Sequence, residues 1–200
     1  MGFLDALLGR NRPKAPDLDA LFQVPSAALT LSAALALEPT GQGSVCYRAA
    51  HGAAFDDVRA DVLSLLGADV APPRVETRAD SFGFTWTILT QEPTGEAGPD
   101  LSALCTGLHV VNTSLEGQGF STGLLCTVVP FVATDGARVG LVYLYKQGTF
   151  YPFAPAPGAS ARDPRRNTLL EMQVRDVLGT ELPMEKDLQR ALALWDAPGL

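Results

Sequence analysis

Four side chains of types that can do chemistry lie at helical spacing between positions 105 and 116. They are Cys105, His109, Asn112 and Glu116, spaced four, three and four residues apart, so one helical face would carry all of them. A thiol near an imidazole and an amide is the residue set of a cysteine nucleophile. Thiol enzymes, however, take these groups from separate elements, and a helix interior lacks the N-terminal dipole that lowers a thiol pKa. We therefore expect no catalytic residue and a protein that is not an enzyme; an enzyme using Cys105 and His109 is the less favoured alternative.

Metal and cofactor sites are not predicted either. The chain has two histidines and three cysteines, without a CxxC pair, and no Walker, GxGxxG or GxSxG motif in a suitable context. The net charge of −7 argues against general binding of nucleic acid. No apolar run reaches the roughly 18 residues of a membrane span, and no signal-peptide pattern is present. These features predict a cytoplasmic protein with reduced cysteines, no cofactor and no bound metal.

The first 16 residues are predicted to form an amphipathic segment, separate from a single α+β domain over residues 17–200. A short helix with one apolar face and a basic end can bind a partner or lie on a membrane surface. The simpler alternative is that it packs back on its own domain or frays. The candidate partner-binding residues on the apolar face are Phe3, Leu4, Leu7 and Leu8, and the basic residues after them are Arg10, Arg12 and Lys14.

The rest of the chain mixes helical and strand patterns. Apolar residues recur at helical spacing in some segments and alternate in others, and Asp135-Gly136 is a favoured hairpin turn. This order predicts an α+β fold, an antiparallel sheet with helices packed on one face and at the ends. Helices are predicted at 25–37, 53–66, 100–116, 167–178 and 183–194, and strands at 44–49, 74–78, 82–90, 124–132 and 137–146.

An aromatic and proline-rich segment follows the last predicted strand. Residues 141–155 hold three of the four tyrosines and read as a strand, a Lys-Gln-Gly turn and a second extended segment. Aromatic side chains on stiff backbone suit a core edge or a contact surface. Tyr151 and Phe153 are therefore further candidate partner-binding residues. If this segment is buried it determines the fold; if it is exposed it is a binding surface.

Several segments together resemble one family, the bacterial and archaeal PspA-associated proteins called PspAB. The resemblance implies a non-enzymatic accessory or adaptor protein of the phage-shock, envelope-stress response that acts by protein–protein binding. Its implied partner is PspA or another envelope-stress protein, with a membrane protease of the HtpX type as a further candidate. The segments are GFLDALLGR at the start, PTGQGSVCYRA at 39–49, LHVVNTSLEGQGF at 108–120, KQGTFYPFAP at 146–155 and LPMEKDLQRALALW at 182–195.

The order of elements also resembles the fold of type III secretion chaperones and YbjN-like proteins. That resemblance implies a helix across one face of an antiparallel sheet. It keeps open an alternative function, a chaperone-like module that binds a client peptide, and an alternative assembly, a homodimer formed through the sheet edge or the long helix.

Overall fold

The computed structural model describes residues 18–48, 64, 72–93, 98–119 and 122–200. The predicted N-terminal segment 1–16 lies outside the described residues, as does the helix predicted at 53–66 apart from Ser64. The α+β class and the antiparallel sheet are confirmed. The described helices are α1 (Val24–Leu35), α2 (Leu101–Gly117) and α3 (Thr168–Leu178), with short 3-10 helices at Leu18–Gln23 and Leu188–Arg190. The strands are β1 (Leu37–Pro39), β2 (Gln42–Tyr47), β3 (Arg74–Ala79), β4 (Thr85–Thr90), β5 (Leu124–Ala133), β6 (Arg138–Leu144) and β7 (Thr149–Phe153).

The seven strands form one antiparallel sheet in the order β3-β4-β2-β5-β6-β7, and β1 pairs with the far end of β5. Pro130 within β5 predicts an edge strand or a bulge at that position. This prediction was wrong, because β5 lies inside the sheet and pairs with β6 at Pro130 without a shift of register. On its other side, the neighbour of β5 changes from β2 to β1 at this point. There Thr40 N donates to Pro130 O over 3.1 Å, so the missing N–H of the proline faces a break in the ladder.

Helices cover the first face of the sheet. The apolar stripe of α2 is fully buried against the sheet together with α1 and the first 3-10 helix. The Asp100 carboxylate caps α2 by accepting a hydrogen bond from Ala103 N at 2.9 Å. A Cβ at Gly43 of β2 would lie 2.7 Å from Leu108 Cδ1, so the glycine lets α2 approach the sheet closely.

Irregular chain covers the second face. The helix predicted at 183–194 was wrong: only Leu188–Arg190 forms a single 3-10 turn. Near Pro183 the chain runs beside β7, where Phe150 N donates to Pro183 O at 2.8 Å. Further on, side chains from other elements bind carbonyls that a helix would use for its own bonds, since Arg166 donates to Ala191 O and Tyr151 donates to Leu192 O.

Candidate functional site: an apolar groove on the second face

An apolar groove of about 610 Å³ lies between the second face of the sheet and the C-terminal chain. We call it the sheet groove. Its floor consists of buried side chains from β2, β4, β5 and β7, namely Cys46, Trp86, Cys126 and Tyr151. The turn between β3 and β4 forms one wall with Phe82 and Phe84. The C-terminal chain forms the other wall with Leu192, Ala193, Leu194 and Trp195. Basic and amide side chains close one end, namely Lys146, Gln147, Gln189 and Arg190.

The carboxylate of Asp80 builds the first wall. Its Oδ1 accepts hydrogen bonds from the backbone N–H groups of Phe82 and Phe84, and its Oδ2 accepts one from Trp86 Nε1, all at 2.9 Å. Burial disfavours the charged carboxylate, but the hydrogen bonds from Trp86 and from the turn amides outweigh it and lower the pKa of Asp80 below its ordinary value. One anion therefore fixes both the wall and the tryptophan of the floor.

Long-range hydrogen bonds fix the second wall. Tyr151 Oη donates to Leu192 O at 3.0 Å, and Arg78 Nη2 donates to Asp196 O at 2.9 Å. The Trp195 ring packs edge-on against Phe153 with 5.0 Å between ring centroids. The wall is thus tied to β7 and to β3 at opposite sides of the sheet.

The floor includes two thiols that face each other across two strands. Cys46 of β2 lies directly opposite Cys126 of β5, and both cysteines are free. The hydrogen bond between these two side chains, together with burial, raises the pKa of Cys46 far above its ordinary value. The Cys46 thiol therefore stays protonated at neutral pH and adds no charge to an apolar floor.

The rim of the groove leaves large apolar side chains in solvent. Phe82 is 59% exposed on the first wall and Leu192 is 63% exposed on the second. At the closed end, Lys146 Nζ donates to Thr122 O at 2.8 Å, and among the described residues no carboxylate lies within ion-pair distance of it. Apolar side chains next to a lysine that no described carboxylate neutralises can accept an apolar segment that carries acidic residues.

The helical stripe of Cys105, His109, Asn112 and Glu116 runs from the core to the solvent. Cys105 is 0% exposed in the core between α2 and the sheet, and burial raises its pKa to about 12. Asn112 is also buried and donates to Thr127 Oγ1 at 3.0 Å, while the His109 ring packs on Phe22. Cys105 therefore remains a thiol at neutral pH, and these side chains serve packing.

Among the described residues, no three His, Cys, Asp or Glu side chains come close enough together to hold a metal ion. None of the described helices is long and apolar enough to cross a membrane.

The predicted binding residues have different outcomes. Tyr151 is 1% exposed and Phe153 is 0% exposed, and both rings pack in the core of the second face. Of the two interpretations left open for this segment, the structure thus agrees with the buried one. Tyr151 still reaches the floor of the sheet groove, whereas Phe153 lies behind Trp195. Phe3, Leu4, Leu7 and Leu8 lie outside the described residues.

Sequence reasoning missed the two exposed rim residues. The predicted strand at 82–90 includes Phe82, but the strand begins only at Thr85 because Asp80 holds Phe82 in a turn. The Asp-Ser-Phe-Gly order at 80–83 is a turn signal that could have placed it. Leu192 was placed on a helix, and no local pattern indicates its actual position.

A model of the family described as PspAB, PspA associated protein B, matches residues 1–199 of the chain. No curated protein and no solved structure matches the chain. The family match covers the whole sheet groove and also the segments that the structure does not describe.

Proposed function

Since the chain belongs to the PspA associated protein B family, we propose that it binds PspA, or another envelope-stress protein, through the sheet groove. An accessory role with PspA follows from the family; binding by direct contact is the proposal. The observation that supports it is the exposure of Phe82 and Leu192 on either side of an apolar floor. Large apolar side chains that rim a groove are typical of protein-interaction sites.

A single apolar segment of the partner fits the dimensions of the groove. The volume of the groove lies within the range of about 300–1,000 Å³ that is usual for binding clefts, and it can hold a few side chains. An amphipathic helix that lays its apolar face into such a groove uses anchors at successive turns. Lys146 at the closed end would then favour an acidic residue on the bound segment.

The N-terminal segment supplies a second contact in this proposal. Phe3, Leu4, Leu7 and Leu8 form one apolar face next to three basic residues, a pattern that suits PspA or the inner membrane face. This would place the protein peripherally at that membrane. A membrane protease of the HtpX type is a further candidate partner, and deletion of residues 1–10 separates this contact from the groove.

The test compares two leucines that are equally exposed. Leu192→Asp places a charge on the groove rim, and Leu169→Asp places the same charge on α3, where the leucine is 67% exposed and does not line the groove. Titration of purified PspA into each full-length variant should show about tenfold weaker binding for Leu192→Asp and nearly unchanged binding for Leu169→Asp.

Equal affinity of the two variants would reject the groove as the binding site, and failure of the wild type to bind PspA would reject the proposal itself. Binding of an unfolded client protein as tightly as PspA, with the same loss in Leu192→Asp, would instead favour the chaperone-like alternative.

A further inference from the structure

Within the part of the chain that the structure describes, the strand β3 is an open edge of the sheet. Among the described residues, β3 pairs only with β4, and Asp80 N donates to Phe84 O at 2.9 Å where the two strands meet at their turn. Because hydrogen-bonding direction alternates along a strand, the N–H and C=O groups of Arg74, Glu76 and Arg78 point toward β4. Those of Val75, Thr77 and Ala79 point away from the sheet. No described residue binds them.

The opposite edge is protected. Phe150 of β7 donates to Pro183 O at 2.8 Å and accepts from Glu185 N at 2.7 Å, so the C-terminal chain covers part of that strand. Natural proteins usually cover or blunt sheet edges, because an uncovered row of backbone groups pairs readily with another strand. The open β3 edge therefore needs its own explanation.

We propose that two copies of this chain pair through β3, antiparallel about a two-fold axis at Thr77, and form one continuous sheet. In this register, Thr77 faces Thr77 of the second copy and Val75 faces Ala79, so the outward backbone groups of both copies bind each other. None of the residues of β3 lines the sheet groove; only Asp80, just beyond the strand, does.

The charges of the strand are complementary in this register. Glu76 lies opposite Arg78 of the second copy, and Arg74 lies opposite Asp80. Within one chain Arg74 already pairs with Glu76, but Arg78 donates only to the carbonyl of Asp196, and no described carboxylate is in ion-pair distance of it. While Nη2 of Arg78 keeps its bond to Asp196 O, the rest of its guanidinium can bind Glu76 across the two-fold axis, and opposite charges on directly facing residues stabilise strand pairs.

Neighbouring registers are disfavoured. A shift by two residues in one direction places Glu76 opposite itself and Arg74 opposite Arg78. The same shift in the other direction places Arg78 opposite itself and Glu76 opposite Asp80. A shift twice as large in the first direction places Pro73, which has no N–H, opposite Thr77. A shift twice as large in the second direction places Arg78 opposite Asp80 but pairs only the end of the strand. Among the registers that pair most of β3, the charge order therefore favours the one centred on Thr77.

The expected dimer is weak. A single pair of six-residue strands buries less surface than the ~1,600 Å² of a standard stable interface. We expect a dissociation constant in the range of about 10–100 µM, so that monomer and dimer exchange over accessible protein concentrations.

Charge exchange tests the register. Sedimentation velocity of the full chain from about 1 to about 500 µM should show a concentration-dependent dimer for the wild type. Glu76→Arg and Arg78→Glu, each alone, create like-charge pairs and should raise the dissociation constant by about tenfold or more, whereas the double variant should return close to the wild type. A monomeric wild type over this range, or single variants that dimerise normally, would overturn the proposal.

Hydrogen exchange tests the edge directly. The amides of Val75, Thr77 and Ala79 should gain protection as concentration rises, while those of Glu76 and Arg78 should be protected throughout. Thr77→Pro removes one outward donor without removing a bond to β4 and should abolish the dimer while the chain stays folded by circular dichroism. A dimer whose outward β3 amides exchange freely would place the interface elsewhere. Leu192→Asp should dimerise normally, so failure of PspA binding and failure of dimerisation can be told apart.

Discussion

The side chain of Asp80 binds three residues of the sheet groove, two in one wall and one in the floor. It holds the amides of Phe82 and Phe84 and the indole of Trp86, and this set of bonds explains why β4 begins later than its alternating pattern predicts. The sequence contains the turn signal but not the partner of the tryptophan, because a hydrogen bond between side chains depends on how the turn packs. The same is true of Asn112, whose helix was predicted correctly while its bond to Thr127 of β5 was not predictable.

Asp80→Asn should destabilise the fold. The amide that replaces Oδ2 cannot accept the hydrogen bond from Trp86 Nε1, which leaves a buried indole N–H without its partner at a cost of about 1–3 kcal/mol. Urea unfolding followed by tryptophan fluorescence at neutral pH measures this loss. Asp135→Asn is the matched control, since Asp135 accepts one amide bond in an exposed hairpin turn and should cost much less.

The contribution of Asp80 should also depend on pH in a defined direction. Its pKa is lower in the folded protein than in the unfolded chain, so the folded state binds the proton less tightly. The stabilisation is complete above the ordinary aspartate pKa of about 4 and is lost as the pH falls through the lowered value in the folded state. The stability of Asp80→Asn should therefore fall less steeply than that of the wild type below about pH 4.

At the scale of elements, local patterns predicted the pieces that need only local signals. The ends of α3 at Asn167 and Gly179, the Asp135-Gly136 turn and the break at Lys146-Gln147 all agree with the sequence. The final helix was not predictable as irregular chain. Its apolar spacing is helical, but Arg166 and Tyr151 bind its carbonyls from other elements, and periodicity does not contain that information.

The close contact between α2 and β2 depends on the missing side chain of Gly43. Gly43→Ala would place a Cβ 2.7 Å from Leu108 Cδ1, so the helix must shift or the fully buried leucine must leave its rotamer. We expect a loss of about 1–3 kcal/mol in the free energy of unfolding.

A double-mutant cycle with Leu108→Ala identifies the cause. If the clash is responsible, Gly43→Ala should cost much less in the Leu108→Ala background. Gly117→Ala is the control, because a Cβ there meets no atom within 4 Å. At Gly117 we expect no loss or a small gain, because Ala reduces the backbone freedom of the unfolded chain. A Gly43→Ala variant as stable as the wild type would show that the close approach to Leu108 does not determine the stability at this position.

At the scale of the whole molecule, the two faces of the sheet are held by different means. Helices cover the first face with a large apolar core, whereas the second face depends on a few polar ties to irregular chain. Arg166 is the most connected of these ties. It pairs with Glu171 of α3 at 2.8 Å, donates to Ala191 O at 3.0 Å and stacks 5.1 Å from the centre of the Phe153 ring.

Arg166→Ala should cost about 2 kcal/mol or more, because the largely buried carboxylate of Glu171 loses its cation and keeps only the backbone N–H of Ala154 as a donor, and the carbonyl of Ala191 loses its donor. The adjacent Arg165→Ala is the control; its ion pair with Asp163 is exposed, so the loss should be below about 1 kcal/mol. Arg166→Lys should not restore stability, since an ammonium cannot reproduce the planar fork. Thermal unfolding of the three variants measures these losses of stability. Equal losses at positions 165 and 166 would contradict the role of Arg166 in holding the second face.

The ties of the C-terminal chain also determine when the groove can exist. Ala191, Leu192 and Asp196 are bound by Arg166, Tyr151 and Arg78, residues that lie far apart along the chain but close together once the sheet is assembled. We therefore expect the second wall to dock late in folding, after the strands have paired. Because only a few bonds hold it, we also expect it to detach at a cost below that of global unfolding, which hydrogen exchange of the amides at 191–196 would measure. A second wall that opens in this way would let the groove adjust its width to a bound segment, and amides at 191–196 that are protected as strongly as those of β5 would contradict this.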